Sequence, residues 1–97
     1  MSTTKSIVLV TGANQGLGLE IVRSLAKSTS AAYSIFLGSR SIPNAEAAIK
    51  SIQSELPGSA SNLQPVQVDI ADDDSIARAY KTVEAAAGRV DVLVFPL

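Results

Sequence analysis

Eight consecutive residues carry the clearest chemistry of the sequence: Thr11-Gly12-Ala13-Asn14-Gln15-Gly16-Leu17-Gly18. A short apolar run precedes them and an apolar stripe at helical spacing follows them, so the glycines sit between a strand and a helix. In that context a glycine loop is a phosphate-holding device. Gly12 permits a tight turn, and Gly16 lets backbone approach a pyrophosphate with no Cβ in the way. Gly18 lets the helix lie close to the sheet. The first N–H groups of such a helix lack partners and sum to about half a positive charge, which favours an anion. A Walker loop would end in Gly-Lys-Ser/Thr, whereas Leu17 and Gly18 follow Gly16 here.

Further along, Arg40 stands just after a second apolar run and Asp69 closes a third. A carboxylate after the second strand would bind a ribose hydroxyl, but a guanidinium can pair bidentately with a phosphate. Arg40 also fits a solvated loop arginine, and Asp69 a turn former at a strand end. A methyltransferase glycine loop would want an acid where Leu37-Gly38-Ser39-Arg40 stands. Asp72, Asp73 and Asp74 fall at a helix start, where carboxylates cap and favour the dipole. A receiver-type domain would need acids after the first strand, where Gly12 stands. There is no Cys and no His, which removes disulfide frameworks, Cys/His zinc sites, Cys nucleophiles and Ser-His relays. A net charge of −1 offers no basic field for nucleic acid or anionic lipid. No apolar run is long enough for an export signal or a membrane span, so the expectation is a cytoplasmic chain with no nucleic-acid or membrane partner.

These residues need a scaffold, and the periodicity supplies one. With 97 residues, 46% of them hydrophobic, the chain is globular and no larger than one domain. Strands are predicted at Ser6–Thr11, Ser34–Gly38, Leu63–Val68 and Val90–Val94. Helices are predicted at Gly16–Ser28, at Asn44–Leu56, and from a cap at Asp72 or Asp73 to a stop at Gly88. In the first helix the expected apolar stripe is Leu17, Ile21 and Leu25, with Val22 and Ala26 beside it. In the second it is Ala45, Ala48, Ile49, Ile52 and Leu56. In the third it is Ile76, Ala79, Tyr80, Val83 and Ala87, with Tyr80 packed into the core. Pro65 argues for an edge position for its strand. Strict alternation of strand and helix means βαβ units and a parallel sheet.

Thr-Gly-x-x-x-Gly-x-Gly at residues 11–18 resembles the cofactor signature of the short-chain dehydrogenase/reductase family. Arg40, Asp69-Ile70 and the fourth-strand sequence Asp91-Val92-Leu93-Val94 agree with it, and the pattern looks most like the NADPH-dependent carbonyl reductase branch. The resemblance covers residues 5–94. It implies a partial Rossmann fold, α/β, over residues 1–97: a four-stranded parallel sheet of order 3-2-1-4 with three helices. The first two helices would cover one face and the third the other. It implies a dinucleotide held at the pyrophosphate by Gly12, Asn14, Gln15, Gly16, Leu17 and Gly18. Arg40 would take the 2′-phosphate, and Asp69 with Ile70 the adenine. The cofactor expected is therefore NADP(H) in preference to NAD(H).

The family's catalytic pair is Tyr-x-x-x-Lys. Four residues beyond Tyr33 stands Leu37, and four beyond Tyr80 stands Glu84, so neither tyrosine fits and no catalytic residue is assigned. After Val94 the family continues Asn-Asn-Ala-Gly, whereas this sequence reads Phe95-Pro96-Leu97. The expectation is the NADP(H)-binding N-terminal portion, truncated after strand four, of a reductase that moves hydride between NADPH and a carbonyl or alcohol. A non-catalytic nucleotide-binding module and a non-functional product remain open. Strand four, apolar apart from Asp91, is expected to be a bare edge prone to self-association.

Overall fold

The computed structural model describes residues 6–13, 15–28, 32–59 and 61–95. Its elements run β1 (Ser6–Val10), α1 (Gly16–Lys27), β2 (Tyr33–Ser39), α2 (Ile42–Glu55), β3 (Asn62–Gln67), α3 (Asp73–Ala87) and β4 (Val92–Val94). The strands form one sheet of order β3-β2-β1-β4, parallel throughout. Val8 lies beside Ile35 on one side and Val92 on the other. Pro65 pairs with Leu37 on the outer strand β3, where a missing N–H costs no ladder bond on the open side.

Alternation along the strands builds two cores. Val8, Val10, Ile35 and Leu37 point to one face, where Val22 and Ala26 of α1 and Ala45, Ala48, Ile49 and Ile52 of α2 cover them. Ile7, Leu9, Phe36, Val66 and Val68 point to the other, covered by Ala79 and Val83 of α3. The placement of two helices on one face and one on the other is as expected.

The helix ends follow their capping chemistry. Ser41 caps α2 by accepting from the Asn44 N–H (3.3 Å), and Pro43 falls inside the first turn rather than ahead of it. Asp72 caps α3 by accepting from the Asp74 N–H at 3.0 Å. Gly88 ends that helix in the left-handed region, φ 86°, which favours glycine.

Two expectations about packing are corrected. In α1 the buried line is Gly18, Val22 and Ala26, while Leu17 is 57% exposed. In α3 the buried line is Ser75, Ala79 and Val83, and Tyr80 is 38% exposed rather than in the core. The rest of each expected face is inward: Ile21 and Leu25 pack beside Val22 and Ala26 in α1, and Ile76 and Ala87 beside Ala79 and Val83 in α3, so the departures are Leu17 and Tyr80, at the margins of their faces.

Strand β4 is shorter than expected, and a side chain extends its pairing. The Asp91 N–H donates to the Ile7 carbonyl (2.9 Å), and the Ile7 N–H donates to Asp91 Oδ2 (2.7 Å). The Arg89 Nε–H donates to Oδ1 of the same carboxylate (2.8 Å). These two donors, Arg89 first, hold the Asp91 carboxyl below its ordinary range. Beyond this clamp the outer side of β4 pairs with no strand among the described residues. Val92, Leu93 and Phe95 there are 46%, 38% and 47% exposed.

Candidate functional site

All strands being parallel, their carboxyl ends open on one side of the sheet, where crevices form in α/β folds. A cavity of about 610 Å³ lies there. Its walls come from three loops: Gly12 and Gln15 after β1; Ser39, Arg40, Ser41 and Asn44 around the start of α2; and Val68, Asp69, Ile70 and Ala71 after β3. Five of the nine residues singled out in the sequence, Gly12, Gln15, Arg40, Asp69 and Ile70, thus line one cavity. Gly16, Leu17 and Gly18 lie just outside its lining, in the first turn of α1. Asn14 lies outside the described residues.

The loop after β1 is shaped by its glycines. Gly12 and Gly16 have φ of +58° and +63°, with open space where a Cβ would stand. Gly18 is constrained by space instead: a Cβ there would lie 2.5 Å from the Gly12 carbonyl oxygen and 2.9 Å from Ala13 Cα. Helix α1 can therefore rest directly on the loop. Its N-terminus differs from the other two. Gln15 makes no side-chain cap and the first turn holds no acid, so the orphan N–H groups of a helix start meet no carboxylate or hydroxyl among the described residues. The α2 start has Ser41, and the α3 start has Asp72, Asp73 and Asp74.

Arg40 is exposed. Of the four arginines, Arg23 pairs with Glu20 and Glu55, Arg78 with Asp72 and Arg89 with Asp91. Arg40 alone has no carboxylate partner among the described residues. Asp69 is half-buried, and its Oδ1 accepts from the Ala71 N–H (3.0 Å) in a local turn, while its own N–H donates to Ser75 Oγ (2.8 Å). Asp69 is a turn former, and one carboxylate oxygen is engaged in that turn. Ile70 is exposed beside it.

Sequence reasoning missed several wall residues. Ser41 and Asn44 were hidden because the predicted α2 began two residues late; the Ser-x-Pro start was the available signal. Gly38, the last residue of the predicted second strand, does not line the cavity but is a close-approach position behind it. A Cβ there would lie 2.6 Å from Val68 Cγ1 and 2.9 Å from the Val10 carbonyl oxygen, and the Gly38 carbonyl accepts from the Ala13 N–H (2.8 Å). The cavity thus offers an unpaired guanidinium to anionic groups, with the first N–H groups of α1 just beyond its rim, and a carboxylate with an apolar neighbour at its third wall. Among the described residues no cluster of His, Cys, Asp or Glu could hold a metal ion, and no helix is long and apolar enough to cross a membrane.

Residues 6–95 match the family model described as short chain dehydrogenase. The short-chain dehydrogenase/reductase tropE of Talaromyces stipitatus is 40% identical over 93% of this chain and 34% of its own length. Carbonyl reductase [NADPH] 1 of Sus scrofa is 36% identical over 97% of this chain and 30% of its own length. Menthone neomenthol reductase from Mentha piperita superposes with a TM-score of 0.83 at 30% identity, covering 98% of this chain and 32% of that one. The chain spans about a third of the length of the relatives it matches. A family model that accounts for 90 of the 97 residues, matching a parallel sheet whose glycine loop feeds an uncapped helix, leaves one assignment: the chain belongs to the short-chain dehydrogenase family.

Proposed function

We propose that this chain grips NADPH and presents it to a carbonyl or alcohol substrate as the cofactor-binding part of a reductase. The observation that carries the reading is an unpaired Arg40 on a cavity bordered, at Gln15, by the uncapped, acid-free start of α1. Gly12, Asn14, Gln15, Gly16, Leu17 and Gly18 would hold the pyrophosphate. Open space at the Cβ positions of Gly12 and Gly16 fits a phosphate approaching the backbone. Arg40 would pair with the 2′-phosphate, a contact NADH cannot make. Asp69, through its free carboxylate oxygen, and the Ile70 backbone amide would hold the adenine, with the Ile70 side chain against the base. The bound nicotinamide supplies the hydride, and the chain's own residues bind and orient it. The name of the Sus scrofa relative, a carbonyl reductase using NADPH, supports the same choice of cofactor. Neither tyrosine has a lysine four residues on, so the general acid that protonates the carbonyl oxygen is not assigned to this chain. Binding without turnover is what these 97 residues should display.

The test is Arg40→Asp, with NADPH and NADH affinities read by nucleotide fluorescence titration. Charge-assisted hydrogen bonds contribute about 1.5–3 kcal/mol each, so the NADPH-to-NADH preference should fall by at least about tenfold. An unchanged ratio refutes the assignment of Arg40.

A further inference from the structure

Arg40 has a long side chain with no carboxylate partner among the described residues, yet the backbone that carries it is held at three consecutive residues. The Ser39 carbonyl accepts from the Val68 N–H at 2.9 Å. The Ser41 N–H donates to Ser39 Oγ at 3.2 Å. Between them, the Arg40 carbonyl accepts from Gln67 Nε2 at 3.3 Å. The first two bonds are local to the β2–β3 ladder and the turn into α2. The third comes from the last residue of an edge strand, 27 positions away, and it holds the carbonyl end of the peptide unit whose N–H end is held by Ser39 Oγ, so it is the tie on that unit that comes from another strand. Gln67 does not line the cavity that Arg40 lines. It faces a neighbouring groove of about 510 Å³ with Ile42, Asp69 and Asp72, and so reaches Arg40 from behind.

We infer that Gln67 is a positioning residue for cofactor selection: its amide anchors the Arg40 backbone so that the guanidinium is pre-aimed at the 2′-phosphate. This rests on the reading of Arg40 given above. A pinned backbone removes part of the ordering cost that a free guanidinium would meet on binding. The effect falls on the dinucleotide that carries the phosphate and not on the one that lacks it. Loss of an ordinary fold contact would weaken both alike.

Gln67→Met keeps the length and volume of the side chain and removes the N–H donor; Gln67→Val, suited to a strand, serves as a second donorless variant. The 97-residue chain, these variants, Arg40→Ala and the double variant Arg40→Ala/Gln67→Met are titrated with NADPH and with NADH by fluorescence. The expected result is a loss in NADPH affinity of about two- to tenfold, the weight of one net hydrogen bond, with NADH affinity unchanged. In the Arg40→Ala background Gln67→Met should change neither. Equal losses for both dinucleotides, an unchanged ratio, or a loss of ratio that persists without Arg40 overturns the inference. If Arg40→Ala lowers the ratio and Gln67→Met does not, only Gln67's role fails. If Arg40→Ala leaves the ratio intact, or the unaltered chain binds neither dinucleotide, the reading of Arg40 fails and this inference with it.

Discussion

Gly18 gives the sharpest test of how the site is built, because its constraint is space and not backbone conformation. In Gly18→Ala the new Cβ would stand 2.5 Å from the Gly12 carbonyl oxygen, and two further backbone atoms lie at 2.9 and 3.0 Å. Restoring ordinary contact near 3.4 Å asks the first turn of α1 to retreat by about 0.9 Å from the loop. No side chain can yield, since all three contacts are backbone atoms. Overpacking costs about 1–3 kcal/mol, and a backbone clash belongs in the upper half of that range. Alanine's better helix propensity returns up to about 1 kcal/mol. The net loss of about 1–2 kcal/mol should lower Tm by roughly 5–15 °C for a domain of this size. The helix start moves with it, so N–H groups that would bond a phosphate near 2.9 Å are carried toward the 3.5 Å limit of a hydrogen bond, and NADPH affinity should fall as well.

Gly16 supplies the contrast. It has room for a Cβ but a φ of +63°, so Gly16→Ala is strained by conformation, at about 1–2 kcal/mol. Asparagine tolerates that region better than alanine. Gly16→Asn should therefore melt higher than Gly16→Ala, whereas Gly18→Asn should melt no higher than Gly18→Ala. Circular dichroism melts of the four variants read both orders. A Gly18→Ala chain that melts at or above the unaltered one refutes the close seating of α1 on the loop.

Asp91→Asn keeps an oxygen for the Ile7 N–H but cannot ionise. Because Arg89 and Ile7 hold the Asp91 carboxyl below its ordinary range, its contribution is full above the unfolded value near pH 4 and lost as pH falls through the folded value; the acid limb of a Tm-against-pH curve should be flatter in the variant, and an identical limb counts against the clamp. Leu93→Lys places a charge on the open edge of β4 beside Val92 and Phe95, and sedimentation velocity should show less self-association than in the unaltered chain; if the two sediment alike at every concentration, that edge is not where copies meet.

The parts of the site legible in the sequence are those whose chemistry is local. Gly12, Gly16 and Gly18 lie within seven residues; Gly12 turns the chain at positive φ and Gly18 seats the helix on the loop, as their spacing announces. Pro65 announces an edge strand in the same way, because a missing N–H is a property of one residue. The outward placing of Leu17 and Tyr80 was not legible, and the reason is specific. A stripe drawn through Leu17, Ile21 and Leu25 assumes that the largest apolar side chains face the sheet. Gly18 must touch the loop because it has nothing to place there, and turning it inward carries Leu17 roughly 100° outward. Tyr80 fails likewise: Ala79 and Val83 let α3 lie close to Phe36 and Val66, and the larger ring is left outside. A residue chosen for its absence of side chain leaves no mark in a hydrophobic pattern.

The remaining features depend on partners distant in sequence. Asp91 reads as one charge in an apolar strand, and its partner Ile7 is 84 positions away. Gln67 reads as a strand polar residue until its bond to Arg40 is seen. The division follows the ligand. A pyrophosphate needs little more than backbone N–H groups around a tight turn, which one short loop can supply and one motif can announce. Discrimination of a 2′-phosphate needs a cation held at a fixed distance from that loop, and the distance is set by where β2 and β3 end relative to β1. That relation exists only once the sheet has formed. A glycine motif therefore speaks for dinucleotide binding as a class, whereas on the reading proposed for Arg40 the choice between its two members would rest on ties between strand ends such as that from Gln67 to the Arg40 carbonyl.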